Sequence, residues 1–155
     1  MANIAVTLLR ARATPLSNQE GGITESTIRY TIPYTDINQG PGATDTVTVT
    51  LGTTPANWMV TAAKVWVQTA FAGTGGFAIN VGTAASASAF VASASVLTAG
   101  EIGGVSTLAT LANATGITAG TLQAVFTNSV SGSPSALTGG LLYIYLDVID
   151  LNNQG

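Results

Sequence analysis

"DTVTVTL", Asp45 to Leu51, decides the fold class, because Val47, Val49 and Leu51 fall on one face of an extended chain and Thr46, Thr48 and Thr50 on the other. Successive side chains of a strand point to opposite faces, so this alternation predicts a half-buried antiparallel strand. The same period recurs on both sides of it. "IRYTIPYTDI" keeps Ile28, Tyr30, Ile32 and Tyr34 in phase, with Pro33 marking an edge or a bulge. "KVWVQTAF" sets Val65, Val67 and Phe71 against Lys64, Trp66 and Gln68, and "GFAINVG" groups Phe77, Ile79 and Val81. "TLQAVFT" aligns Leu122, Ala124 and Phe126. "LLYIYLDVIDL" places Leu142, Ile144, Leu146 and Val148 opposite Tyr143, Tyr145 and Asp147.

Between these runs "NQGPGATD", "FAGTGG" and "NSVSGSPSALTGG" are loops by composition. With weaker segments at Phe90–Leu97 and Val105–Leu111 the total is about eight short strands, which predicts an all-β, antiparallel two-sheet sandwich of jelly-roll type. Ala84 to Ala94 has the alanine content of a helix, but its serines and flanking glycines favour strand or loop. Residues 1–27 read as an extended N-terminal arm and residues 28–155 as the sandwich domain. Three of the four basic residues, Arg10, Arg12 and Arg29, lie in or just beyond the arm.

A chain of 155 residues is one domain long. Only 7% of it is charged, against about a quarter in ordinary globular proteins, while 46% is hydrophobic. Thr, Ser, Ala, Asn and 18 Gly replace the charge. The run from Gly76 to Val96 contains no charged residue at all, which implies that other protein subunits cover much of this surface. Four basic residues cannot neutralise a nucleic-acid backbone, so nucleic acid is not expected as a partner. "MANIAVTLLRAR" lacks the basic start and small-residue cleavage pattern of a signal peptide. Polar residues interrupt the longest weakly polar stretches too often for a transmembrane helix. The chain is therefore expected to be soluble, made in a cytoplasm, and not to bind a membrane.

The chain has no Cys and no His. That removes thiol chemistry, the Ser-His-Asp triad and the commonest general base. Asp147 and Asp150 are the closest acids, but a spacing of three along a strand puts them on opposite faces. Glu101 reads as a loop charge in the turn "TAGEIGG". "DINQGPGATD", Asp36 to Asp45, resembles part of a calcium loop, yet Val47 stands where its bidentate Glu belongs. "GTGG", Gly73 to Gly76, reads as a hairpin turn, and "NAT", Asn113 to Thr115, as a chance match to a glycosylation acceptor. No enzyme, cofactor or metal is expected.

The residues that stand out are aromatic. Trp66 lies opposite Val65 and Val67, and Tyr143 and Tyr145 lie opposite Ile144, so in a sandwich all three occupy an outer face. Large aromatics with a polar tip anchor protein interfaces. Two functions accommodate them: a subunit that adheres to a lattice and to its own copies, or a receptor- or carbohydrate-binding domain in which Trp58, Trp66 and Tyr145 stack on sugar rings.

The order "YTIPYTD", "WMVTAAKVWVQTAFAGTGGFAINVGTAASASAF", "GTLQAVFTNSVSGSPSALTGGLLYIYLDVIDL" resembles the capsid decoration, or cement, proteins of tailed bacteriophages. The resemblance covers Ile28 to Leu151 and lies in an aromatic-ended strand, a glycine turn, an apolar strand closing on "VGT", and a last strand rich in Tyr, Ile and Val. The chain departs from that pattern at Ala84 and Ala85, where acids often follow the "GT". The resemblance implies a jelly-roll virion protein on the outer surface of the capsid, holding neighbouring major capsid subunits together. It would be a homotrimer or a dimer. On this reading Trp66, Tyr143 and Tyr145 lie at subunit contacts, and Arg10 and Arg12 reach an acidic capsid neighbour.

Overall fold

The computed structural model describes residues 3–7, 12–15, 24–38, 46–54, 58–104, 120–128 and 134–150. Along this part of the chain run β1 (Asn3–Thr7), β2 (Arg12–Pro15), β3 (Thr24–Pro33), a single helical turn α1 (Tyr34–Ile37), β4 (Thr46–Thr54), β5 (Trp58–Ala72), β6 (Phe77–Thr83), β7 (Val91–Ser95), β8 (Gly100–Gly104), β9 (Gly120–Asn128) and β10 (Gly139–Asp150). They form two five-stranded sheets. One, here the threonine sheet, has the order β1-β4-β9-β6-β7; the other, the tyrosine sheet, has the order β2-β3-β10-β5-β8. All pairings are antiparallel except that of β1 with β4. The all-β sandwich read from the alternation is the architecture found.

Alternation explains the core directly. Val47, Val49 and Leu51 of β4, Phe77, Ile79 and Val81 of β6 and Leu122, Ala124 and Phe126 of β9 are buried. They meet Ile28, Tyr30 and Ile32 of β3, Val65 and Val67 of β5 and Leu142, Ile144 and Leu146 of β10 in one apolar cluster between the sheets. Phe71, Phe77 and Phe126 bring three rings together across the layers, with Phe77 stacked on Phe126 at 5.7 Å. Among the described residues the buried polar side chain is Asn128, whose amide donates to the Thr74 hydroxyl at 3.0 Å. That bond offsets the cost of taking an amide out of water.

Burial of Tyr30, only 3% exposed, pushes its phenol above the ordinary value of 10.0. The folded state thus favours the neutral phenol, and its contribution is fully present below that value. It is lost as pH rises through the folded-state pKa, because the unfolded chain releases the proton first. The urea midpoint should therefore fall between about pH 9 and pH 11, and fall less in Tyr30→Phe. Equal slopes for the two proteins would contradict this.

Several local expectations are corrected. β3 begins at Thr24, so the boundary placed between residues 27 and 28 falls inside a strand. Within the expected arm, β1 pairs with β4 and β2 with β3, one on the edge of each sheet. Tyr34 leaves the strand for α1, because Pro33 has no N–H with which to continue the ladder, and Ile37 is buried from that turn. "GTGG" is a turn but not a hairpin. It carries the chain from β5 in one sheet to β6 in the other, bringing Phe71 and Phe77 into the same core. At Gly73, φ is +102° and a Cβ would run into the Ala136 carbonyl, so glycine is required there. Residues 84–90 form turns and β7 follows, as the serines and glycines predicted. Val105–Leu111 and the Asn113–Thr115 triplet lie outside the described residues.

Candidate functional site

The tyrosine sheet owes its outer face to the register of three strands. Tyr143 of β10 sits opposite Trp66 of β5 and Thr31 of β3, and Tyr145 sits opposite Lys64 and Arg29. Glu101, expected in a turn, is instead in β8 and pairs with Trp66. The edge strand β8 therefore completes this row, a partner that local composition around Glu101 does not reveal.

These side chains surround a depression of about 200 Å³ lined by Lys64, Trp66, Gln68, Glu101, Tyr143 and Tyr145. Trp66 is 44% exposed, the one large apolar side chain so exposed among the described residues. Tyr143 and Tyr145 stand 6.4 Å apart with their rings inclined by 56°, so they form two walls rather than a stack. The Arg29 guanidinium lies over the Tyr143 ring, 5.5 Å from its centre, a cation–π contact that holds the ring in place. Lys64 Nζ and Glu101 Oε2 are 4.0 Å apart and well exposed, so their attraction is largely screened by water. Asp147, further along β10, accepts a 2.6 Å hydrogen bond from the Thr27 hydroxyl. Arg29 and Lys64 are thus balanced on this face by Glu101 and Asp147, and the patch favours no charged ligand.

Of the residues singled out in the sequence, Trp66, Tyr143 and Tyr145 converge here. Trp58 does not: it starts β5, eight residues before Trp66 and about 26 Å along the strand. Arg12 lies in β2 in register with Arg29, and Arg10 is outside the described residues. Arg29 and Glu101 also lie on this face, Arg29 over the Tyr143 ring and Glu101 beside Trp66. Arg29 was legible from parity, since it alternates with the buried Ile28 and Tyr30. In the stretch that resembled a calcium loop, Asp36 lies in α1, the Asn38 amide donates to the Leu137 carbonyl at 2.9 Å, and residues 39–45 are outside the described residues. Among the described residues no three acidic side chains gather where a metal ion could sit, and no helix is long and apolar enough to cross a membrane.

Comparison with protein-family models, with curated proteins and with solved structures found no match to this chain.

Proposed function

We propose that this chain is a structural virion protein of jelly-roll type that binds the outside of an icosahedral phage head and cements neighbouring major capsid subunits. The observation that carries the reading is the aromatic patch of an exposed Trp66 and half-buried Tyr143 and Tyr145 on an outer sheet face with balanced charge. Rings that are rigid, large and tipped with a polar atom supply contact area at low entropic cost. The strand order supports the jelly-roll part. Counted from β3, the eight strands alternate between sheets as 1-8-3-6 and 2-7-4-5, with β6 and β7 the consecutive pair that shares a sheet. Cementing requires no chemistry beyond cohesion. Each copy would bury surface on two or more capsid subunits, and a closed lattice engages many modest contacts together. Arg10 and Arg12 would add a salt-sensitive contact to an acidic neighbour, after synthesis in the host cytoplasm and attachment to the head.

The test is light scattering coupled to size-exclusion chromatography, with the purified chain mixed with expanded heads of the same source. Co-migration at a fixed ratio per capsid subunit is expected. Occupancy should fall with salt, and less steeply for Arg10→Ala/Arg12→Ala. A chain that ignores heads abolishes the reading. The depression itself favours a second reading, a receptor- or carbohydrate-binding domain of a tail tip or fibre. Aromatic walls flanked by Lys64, Gln68 and Glu101 offer both a stacking surface and hydrogen-bonding groups to a sugar ring. Glycan binding without head binding would select it.

A further inference from the structure

Charge is divided between the two sheets in an unusual way. Arg12, Glu25, Arg29, Lys64, Glu101, Asp147 and Asp150 all lie in strands of the tyrosine sheet, whereas among the described residues none within the strands of the threonine sheet is charged. The outward positions there are Thr46, Thr48 and Thr50 of β4 and Gln123, Val125 and Thr127 of β9, all half-buried in the single chain. Asn80 and Ala78 of β6 continue the face. The turn that folds over Gly82, whose missing side chain makes room for the Ser86 carbonyl, is charge-free as well. The uncharged run from Gly76 to Val96 is therefore not spread around the molecule. Its strands β6 and β7 belong to this sheet.

We infer that the outer face of the threonine sheet is the surface through which two copies of this chain pair about a two-fold axis. Self-pairing brings each patch onto itself, so any charge on it would meet like charge near the axis. The threonine sheet is the face on which that penalty vanishes, although the chain as a whole carries a net charge of −3. Threonine and valine suit the role: their branched side chains interdigitate between facing sheets about 10 Å apart, and the hydroxyls can hydrogen-bond across the seam. The area is sufficient. Five strands span about 24 Å across and about 25 Å along, so two copies would bury on the order of 1,200 Å², the lower end of the range for stable complexes.

Edge-to-edge pairing is disfavoured at β7. There Ser93 adopts a φ of +44°, its N–H turns to Asn80 Oδ1 at 2.8 Å, and the register slips between Ile79 and Val81. A bulge of this kind spoils an edge as a template for another strand. The inference goes beyond head binding, since it uses the opposite face from Trp66.

Sedimentation velocity of the full chain over a range of concentrations tests it. The expected result is a dimer whose dissociation constant does not rise between 0.1 and 1 M salt, over which the Debye length falls from about 10 Å to about 3 Å. Val125→Lys, at the centre of the face between Thr48 and Asn80, should weaken it at least tenfold, at about 1.4 kcal/mol per decade, with the circular dichroism spectrum unchanged. Gln123→Glu offers the same readout should the lysine variant fail to fold. Trp66→Ala should leave the dimer intact whether or not heads bind, which separates the two proposals. A monomeric or trimeric wild-type chain, or a Val125→Lys variant that still pairs at full strength, overturns the inference.

Discussion

Phe126→Ala is expected to cost about 3–5 kcal/mol of folding stability, the range for removing a large aromatic from a packed core. Phe126 is fully buried in β9, near the middle of the threonine sheet. Its ring stacks on Phe77 at 5.7 Å with 20° between planes and lies 6.3 Å from Phe71, which comes from the opposite sheet. Truncation therefore removes transfer free energy, two aromatic contacts of about 0.5–1.5 kcal/mol each, and the packing that joins the two layers. The site cannot collapse easily, because backbone hydrogen bonds to β4 on one side and β6 on the other hold β9 in place. Native domains are stable by only about 5–15 kcal/mol, so the variant should sit near the edge of folding. Urea denaturation checks it through the midpoint at an unchanged slope. A loss below about 1 kcal/mol would mean that the three-ring cluster is not the joint between the sheets.

Trp66→Ala is expected to show the opposite profile. The side chain is 44% exposed and packs on the outer face, so its loss should change stability by less than about 1 kcal/mol. The proposed head binding, by contrast, should weaken about 30-fold or more, corresponding to the roughly 2 kcal/mol that defines an interface hot spot. Tyr143→Ala and Tyr145→Ala should follow it, since the three rings surround one depression. Lys64→Ala should matter less, because its exposed pairing with Glu101 at 4.0 Å contributes little. Thermal unfolding and quantitative co-sedimentation with expanded heads separate the two effects. A variant that binds as tightly as the parent would take the aromatic face out of the contact. One that melts many degrees lower would make Trp66 a structural residue.

The two substitutions probe positions that were legible to different degrees. Parity with Leu122 and Ala124 is enough to place Phe126 in the core without reference to any partner strand. The same rule places Trp66, Tyr143 and Tyr145 on outer faces, but nothing local says that they share one face. They do so because β10 pairs with β5 in a register that sets Tyr143 against Trp66. The glycine-rich neighbourhood of Glu101 looks like a turn and predicts a loop residue. The ladder with β5 overrides that local preference.

By itself the sequence determined which side of each strand meets the core, because side-chain direction in an extended chain follows from parity and needs only the neighbouring residues. It also determined the composition of the surface, poor in charge and rich in threonine. Only the tertiary structure decided which strands lie side by side, that the Gly73–Gly76 turn crosses between sheets, and that the strand charges collect on one sheet and leave the other without any. Pairing depends on partners far apart along the chain, and the free energy that selects among them comes from packing both sheets at once, a quantity no single segment carries.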